Sequence, residues 1–173
     1  TLNYGFVLNE VLYDPPSGSA GDANGDGVRD PNDDEFVEFV NDSDSTINLS
    51  GYKIYDATRL TAGTPNHEFP ENTFLNPGQA VVVFGGGSPV GNFGGALVFT
   101  ASNQVLNLNN AGDMMTMTDS SGIMVLEFDV EPLSDNPNES YTRDPDLSGD
   151  FVQHNGVSGT LFSPGTKTDG TSF

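Results

Sequence analysis

The stretch Asp113 to Val130, D-M-M-T-M-T-D-S-S-G-I-M-V-L-E-F-D-V, decides the fold class. Two runs rich in apolar, β-branched and aromatic residues, Met114 to Thr118 and Ile123 to Phe128, flank the four residues Asp119 to Gly122. Aspartate, serine and glycine favour a tight turn, and the glycine supplies a positive φ where the chain reverses. The pattern predicts a β-hairpin.

Outward from the hairpin, segments of the same character recur along the chain, each bounded by Gly, Pro, Asn or Asp. No window of eleven residues carries a helical apolar stripe, and glycine and proline interrupt the chain too often for long helices. The predicted fold class is therefore an all-β sandwich. Its predicted strands are Phe6 to Tyr13, Glu35 to Val40, Ile47 to Tyr55, Ala80 to Phe84, Leu97 to Thr100, Asp113 to Thr118 and Ile123 to Val130.

A candidate calcium-binding loop, D-A-N-G-D-G-V-R-D-P-N-D, lies between the first two predicted strands. Oxygen-bearing side chains occupy its positions one, three, five, nine and twelve, and glycine occupies position six, which is the spacing of a calcium loop. Calcium takes six to eight oxygen ligands, so a short chain must curl around the ion. The predicted metal ligands are the side chains of Asp22, Asn24, Asp26, Asp30 and Asp33 and the backbone carbonyl of Val28, with Asp30 binding directly or through water.

Other acidic residues leave alternatives open. Asp34 or Glu35 replaces Asp33 as the closing ligand if the register differs by one or two residues, although the spacing favours Asp33. Asp14 is interpreted as a surface turn residue rather than a further ligand. The second acidic stretch, Asp144 to Asp150, lacks the ordered spacing and is interpreted as an acidic turn between strands.

The amino-acid composition excludes several classes of partner and of metal site. Twenty-five acidic residues against five basic ones give a net charge of −20, which repels nucleic acid and anionic membrane surfaces. No apolar run reaches the roughly 18 residues that span a bilayer. Cysteine is absent, which excludes disulfides and zinc–thiolate sites, so calcium is the expected staple. Calcium is abundant outside cells, and the expected location is therefore extracellular or on the cell surface, in a segment of a larger protein.

Catalytic motifs do not emerge from the sequence. The glycine-rich stretch Gly85 to Gly95 has no following lysine and no helix start, so it does not suit a phosphate loop. His67 and His154 are the only histidines, and neither lies in a nucleophile-elbow pattern. We therefore predict no catalytic and no cofactor-binding residues other than the calcium ligands.

Six pieces of the chain, in order, resemble the lamin tail domain family, which also occurs in bacterial secreted and surface proteins. They are L-N-E-V-L-Y-D-P (8–15), D-E-F-V-E-F-V-N (34–41), L-S-G-Y-K-I-Y-D (49–56), L-N-N-A-G-D-M-M-T-M-T-D-S-S-G (108–122), E-S-Y-T-R-D-P-D (139–146) and F-S-P-G-T (162–166). Tyr52 stands where the family commonly has tryptophan. The stretch from about Asp14 to Asp33 is an insertion that animal lamins lack, and it resembles dockerin or thrombospondin-type calcium loops.

The resemblance implies an immunoglobulin-like β-sandwich with a binding or structural role and no catalytic residues. We expect one domain, residues 1–173, in which residues 14–34 form the inserted calcium loop. The expected function is a calcium-stabilised structural, adhesive or binding module whose partner is a protein or a glycan, without nucleic-acid binding or membrane insertion. The alternative is an accessory domain of an extracellular nuclease, phosphatase or glycosidase whose catalytic domain lies outside this segment.

Overall fold

The computed structural model describes residues 5–133 and 135–173, in which β-strands are the main regular secondary structure. In chain order the elements are β1 (Phe6–Leu12), β2 (Phe36–Asn41), β3 (Ile47–Asn48), β4 (Lys53–Tyr55), α1 (Ala57–Ala62), β5 (His67–Glu68), β6 (Phe74–Leu75), β7 (Ala80–Phe84), β8 (Leu97–Thr100), β9 (Met114–Thr118), β10 (Met124–Asp129), β11 (Tyr141–Asp144), β12 (Asp150–Gln153) and α2 (His154–Ser158). Three short 3-10 turns span Gly18–Gly21, Phe93–Gly95 and Glu131–Leu133. Neither of the two helices in the described part of the chain has the length and apolar character needed to cross a membrane.

The strands form two principal sheets. The larger has six strands in the order β12-β11-β1-β2-β7-β8, and the smaller has four in the order β10-β9-β4-β5, while β3 and β6 pair separately. Neighbouring strands run antiparallel except β7 and β8, which are parallel. Phe39 and Val81 of the larger sheet share one buried core with Ile54, Met115 and Met117 of the smaller sheet. The arrangement is a sandwich, as predicted.

The larger sheet is covered on both faces. A second apolar cluster on its other face contains Leu12, Phe36, Val82 and Phe84, against which Phe162 from the C-terminal segment packs. Every residue of β2 and β7 is consequently buried. Glu10 and Glu38 are directly opposite each other in adjacent strands of this sheet, and both are fully buried.

The predicted hairpin is confirmed: β9 pairs antiparallel with β10, with Phe128 opposite Met115. The Asp119 amide donates to the Ile123 carbonyl at 2.8 Å, and Gly122 adopts the expected positive φ of 83°. The remaining predicted strands are present within one or two residues at each end, with one exception described next.

The prediction of one continuous strand from Ile47 to Tyr55 is wrong, because the chain changes sheets there. β3 pairs with β6, whereas β4 pairs with β9 and β5. Between them the Tyr52 amide donates to the Leu49 carbonyl at 2.9 Å, and Gly51 has a φ of 75°. The sequence signal for this reversal is Ser50-Gly51.

Two short helices accompany the strands. The α1 helix begins at the Asp56 cap, whose carboxylate accepts from the Arg59 amide at 2.6 Å, and it ends at Gly63 in the left-handed conformation. Both caps are visible in the sequence D-A-T-R-L-T-A-G. A six-residue helix is too short to display a full apolar stripe, so periodicity alone does not reveal it.

Candidate metal site

The candidate calcium loop lies in the connection between β1 and β2, where its first half curls through side-chain to backbone hydrogen bonds. The Asp22 carboxylate accepts from the Gly27 amide at 2.9 Å, and the Asn24 side-chain oxygen accepts from the Asp26 amide at 3.0 Å. The Asp26 carboxylate accepts from the Val28 amide at 2.9 Å. The curl depends on Gly27, whose φ is 90°. Positions one, three and five of the loop therefore fold back over the same short stretch of backbone.

One oxygen in this curl has no partner. Asp22 Oδ1 is buried, and none of the described residues donates a hydrogen bond to it. A buried carboxylate oxygen without a donor costs about 1–3 kcal/mol or more. Asp22 occupies the first position of the loop, where a calcium loop uses a carboxylate ligand.

Asp34 holds the loop against the body of the domain. It is fully buried, and its Oδ1 accepts from the amides of Ala23 (2.8 Å) and Asn24 (3.0 Å), while Oδ2 accepts from the Asp30 amide (2.8 Å). Burial raises the pKa of Asp34, and these amide hydrogen bonds oppose that rise. By accepting three backbone hydrogen bonds, the Asp34 carboxylate fixes the conformation of the loop.

The last two candidate ligands lie at the end of the loop. Asp30 Oδ1 accepts from the amides of Asn32 (2.8 Å) and Asp33 (3.2 Å). Burial raises the pKa of the Asp33 carboxyl, and the nearby charges of Asp30 and Asp26 add to the rise. The part of the rise that comes from these charges reflects repulsion of the Asp33 carboxylate, and a cation among the three groups would relieve it.

The glycine-rich stretch packs against this loop, a role that sequence reasoning missed. The Ser88 amide donates to Asp26 Oδ2 at 3.1 Å, and the Val90 amide donates to the Asn24 carbonyl at 2.8 Å. A Cβ atom on Gly85 would lie 1.8 Å from the Asn32 carbonyl oxygen, and one on Gly86 would lie 2.2 Å from Asp33 Oδ1. Side chains at these positions would push the loop away from the end of β7.

The alternative ligands point elsewhere. Glu35 Oε2 accepts from the Leu108 amide at 3.3 Å, and burial raises the pKa of Glu35 to about 8. Asp14 accepts from the Asn110 side-chain amide at 2.6 Å and from the Asn138 backbone amide at 3.0 Å.

The second acidic stretch forms the turn between β11 and β12, as interpreted from the sequence. Within it, the Asp146 carboxylate accepts from the Thr168 hydroxyl at 3.0 Å.

The loop carboxylates do not form a ready-made metal cage. Among residues 5–133 and 135–173, no three Asp, Glu or His side chains lie together in an arrangement that could hold a metal ion. The predicted ligand set also draws on the Asn24 amide oxygen and the Val28 carbonyl. Val28 is exposed, with 66% of its surface accessible.

The structure does bring a histidine, a serine and a carboxylate together, at a place the sequence could not reveal. His154 Nε2 lies 2.8 Å from Ser163 Oγ, and Ser163 Oγ donates to Glu10 Oε2 at 2.9 Å. In a catalytic triad the acid orients the far nitrogen of the histidine, but here His154 Nδ1 lies 3.0 Å from the Thr160 carbonyl. His154 and Glu10 are both fully buried. The cluster is a packed polar network that fastens the C-terminal segment to the sheet.

His67 is likewise a packing residue. Its ring meets Phe69 edge-on at 4.5 Å between centroids and lies 5.7 Å from Phe99. Nδ1 is 3.2 Å from Ser102 Oγ. Burial lowers the pKa of His67 to about 4.

Acidification is expected to destabilise the fold through His67. A pKa lowered from 6.5 to about 4 means that the unfolded chain binds the proton first, so this contribution to stability is complete above pH 6.5 and is lost as pH falls towards 4. The loss is about 3 kcal/mol, from about 1.4 kcal/mol per pH unit. Urea unfolding of wild type and His67→Phe over this range measures it. Equal losses in both proteins would contradict the assignment to His67.

The fold is a β-sandwich domain with an acidic loop between its first two strands. The chain belongs to the lamin tail domain family: the family model matches residues 5–131, which run from the start of β1 to the 3-10 turn after β10. This is a family of non-catalytic, immunoglobulin-like domains. A search of curated proteins found no match. Two of the six resembling pieces, 139–146 and 162–166, lie beyond the matched residues.

Proposed function

We propose that this chain is a calcium-stabilised, non-catalytic binding or structural module of a larger secreted or cell-surface protein. Its calcium ligands are the side chains of Asp22, Asn24, Asp26, Asp30 and Asp33 and the carbonyl of Val28. Its partner is a protein or a glycan. The acidic surface, with a net charge of −20, opposes nucleic acid and anionic membranes as partners.

The buried, unpartnered Asp22 Oδ1 carries the calcium proposal. It lies at the first position of a loop that is already curled by the Asp22–Gly27, Asn24–Asp26 and Asp26–Val28 hydrogen bonds. An ion at this place supplies the missing partner and offsets the charges of Asp30 and Asp26, which add to the rise that burial causes in the pKa of Asp33. Because the carboxylates do not already converge, binding draws Asp30 and Asp33 inward over the curl.

Two observations support a non-catalytic module: the family to which the chain belongs and the burial of both histidines. His67 packs among phenylalanines, and His154 is fully buried in the network that holds the C-terminal segment. Neither presents an imidazole to solvent beside a nucleophile. The alternative function, an accessory role beside a hydrolase domain, uses the same non-catalytic module and differs only in what adjoins it.

Calcium is expected to bind and to raise the melting temperature. A site that exists only in the folded chain stabilises it by about 2.7 kcal/mol when free calcium is 100 times the dissociation constant. Calorimetric titration of the chelator-treated protein, and melting curves with calcium or chelator, measure both effects. Since the strands supply the core, the chelated chain is expected to keep its β-sheet circular dichroism.

The variants Asp22→Ala and Asp26→Ala should remove the difference between the calcium and chelator melting curves. Asp129→Ala, an exposed acidic change at the end of β10, serves as the matched control and should preserve it. Absence of calcium binding at millimolar concentration in the wild type would refute the metal site. Unchanged binding in both loop variants would place the ion elsewhere.

A further inference from the structure

A polar cavity adjoins the candidate calcium loop, and the metal site makes no use of its lining groups. Its volume is about 340 Å³, and it lies between the end of β1, the second half of the loop and residues 107–110. This volume is at the lower end of the range of about 300–1,000 Å³ for small-molecule sites. The groups that matter for recognition are Asp14, Arg29, Asn32, Glu35, Asn109 and Asn110.

The principal hydrogen-bond donor of the cavity, the Arg29 guanidinium, is held in place by backbone carbonyls. Arg29 Nε donates to the Pro16 carbonyl at 2.9 Å, and Nη2 donates to the Pro15 carbonyl at 2.5 Å. Among the described residues no carboxylate forms an ion pair with this guanidinium. Arginine has five N–H donors, so the two carbonyls leave donors free for a ligand. The exposed side-chain amide of Asn32 adds a second donor group, which also accepts.

The acceptors are fixed in the same way. Asp14 is held by the amides of Asn110 and Asn138 at 2.6 and 3.0 Å, and each carboxylate oxygen retains a further lone pair. Glu35, only 4% exposed, is anchored by the Leu108 amide. A ligand therefore meets donors and acceptors whose positions are already set, which reduces the entropy lost on binding.

The mixture of groups selects the chemistry of the ligand. An anion would face two carboxyl groups in a chain of net charge −20, and a cation would face the guanidinium of Arg29. An apolar ligand would cover the amides without pairing them, which is costly. A hydroxyl group both donates and accepts, so a ring bearing several hydroxyls satisfies both kinds of group. The rings of Pro15 and Pro31 add apolar surface to the lining.

We propose that this cavity binds a neutral saccharide unit of one or two rings. The inference rests on the proposed function as a binding module and names the class of its ligand. Arg29 belongs to the calcium loop, so an ion that orders the loop also orders one wall of the cavity. Saccharide binding should therefore weaken in chelator.

The test is a titration of the full chain, at saturating calcium and in chelator, with neutral hexoses, pentoses, N-acetylhexosamines and their disaccharides. Chemical shifts and calorimetry report binding. Asn32→Ala should weaken binding about tenfold, the loss expected for about 1.4 kcal/mol, without changing the melting temperature. Asn155→Ala is the matched control, because Asn155 is exposed on α2 and does not line the cavity.

Each outcome is decisive. The inference is overturned if no saccharide binds at about 10 mM, because a dissociation constant of this size corresponds to a binding free energy of only about 2.7 kcal/mol. Binding that Asn32→Ala leaves unchanged, or binding of a basic peptide in place of saccharides, also overturns it. Calcium titration of the same samples separates this failure from failure of the proposed function, since calcium binding without saccharide binding refutes only the cavity.

Discussion

Deleting residues 161–173 is expected to remove most of the stability of the fold. Ser163 and Gly165 lie in this segment and supply donors to two fully buried carboxyls. The Ser163 amide donates to Glu10 at 2.9 Å and the Gly165 amide donates to Glu38 at 2.6 Å. Phe162 of the same segment packs edge-on against Phe36. The deletion therefore exposes an apolar face and removes backbone donors from both carboxyls.

The expected loss is about 5 kcal/mol, because burying one large apolar side chain contributes about 1.5–3 kcal/mol and the deletion uncovers several on this face. Domains typically have only about 5–15 kcal/mol in total. Urea unfolding monitored by circular dichroism is the measurement. Deletion of 171–173 alone, which are mostly exposed, is the control and should cost little. A cooperative transition of wild-type stability after the longer deletion would show that residues up to 160 suffice for the domain.

Stability is expected to fall as pH rises, because of Glu10 and Glu38. Burial raises the pKa of Glu38 well above its usual 4.5, and the neighbouring Glu10 adds to the rise, while Asn9 and the Gly165 amide oppose it. Burial also raises the pKa of Glu10, against the opposing charge of His154 and the hydrogen bonds from Ser140 and Ser163. Asp146 is the further acidic group facing Glu38.

The sign follows from proton binding. A carboxyl with a raised pKa in the folded chain holds more protons there than in the unfolded chain, so its contribution is complete below about pH 4.5 and is lost as pH rises through the folded pKa. Each group contributes a slope of up to about 1.4 kcal/mol per pH unit within its window. Glu35, whose pKa burial raises to about 8, contributes a loss in the same direction, and His67 works in the opposite direction below pH 6.5.

Urea unfolding from about pH 5 to about pH 9, in chelator and at fixed ionic strength, measures this slope. Chelator is needed because calcium binding itself releases protons. Glu10→Gln keeps an oxygen that accepts from Ser163 and removes one of the two facing carboxyls, so its slope should be shallower than that of the wild type. Glu127→Gln, on the exposed face of β10, should retain the full slope. Stability that stays constant or increases with pH in the wild type would contradict this account.

Some features of this protein follow from local sequence. Alternating apolar runs around Asp119–Gly122 determine a hairpin, because a strand has a period of two residues and glycine accepts the positive φ of the turn. The loop spacing from Asp22 to Asp33 predicts the curl around Gly27, since Asp and Asn bond backbone amides two to five residues ahead. The sequence also contains the two capping residues of α1, although the helix itself was not predicted. These signals involve residues close together in the chain.

Only the tertiary structure decided the rest, because it depends on contacts between distant residues. The sequence does not show why glycine is needed at positions 85 and 86. In the structure, Gly85 and Gly86 leave the space that lets the acidic loop approach the end of β7. The positions of Glu10 in β1 and Glu38 in β2 do not reveal from sequence whether another segment covers them. In the structure the C-terminal segment covers both. The cavity beside Arg29 is assembled from residues that are up to 97 positions apart, from Tyr13 to Asn110. Local spacing specifies turns and strands, whereas burial of a polar group is set by whichever remote segment folds over it.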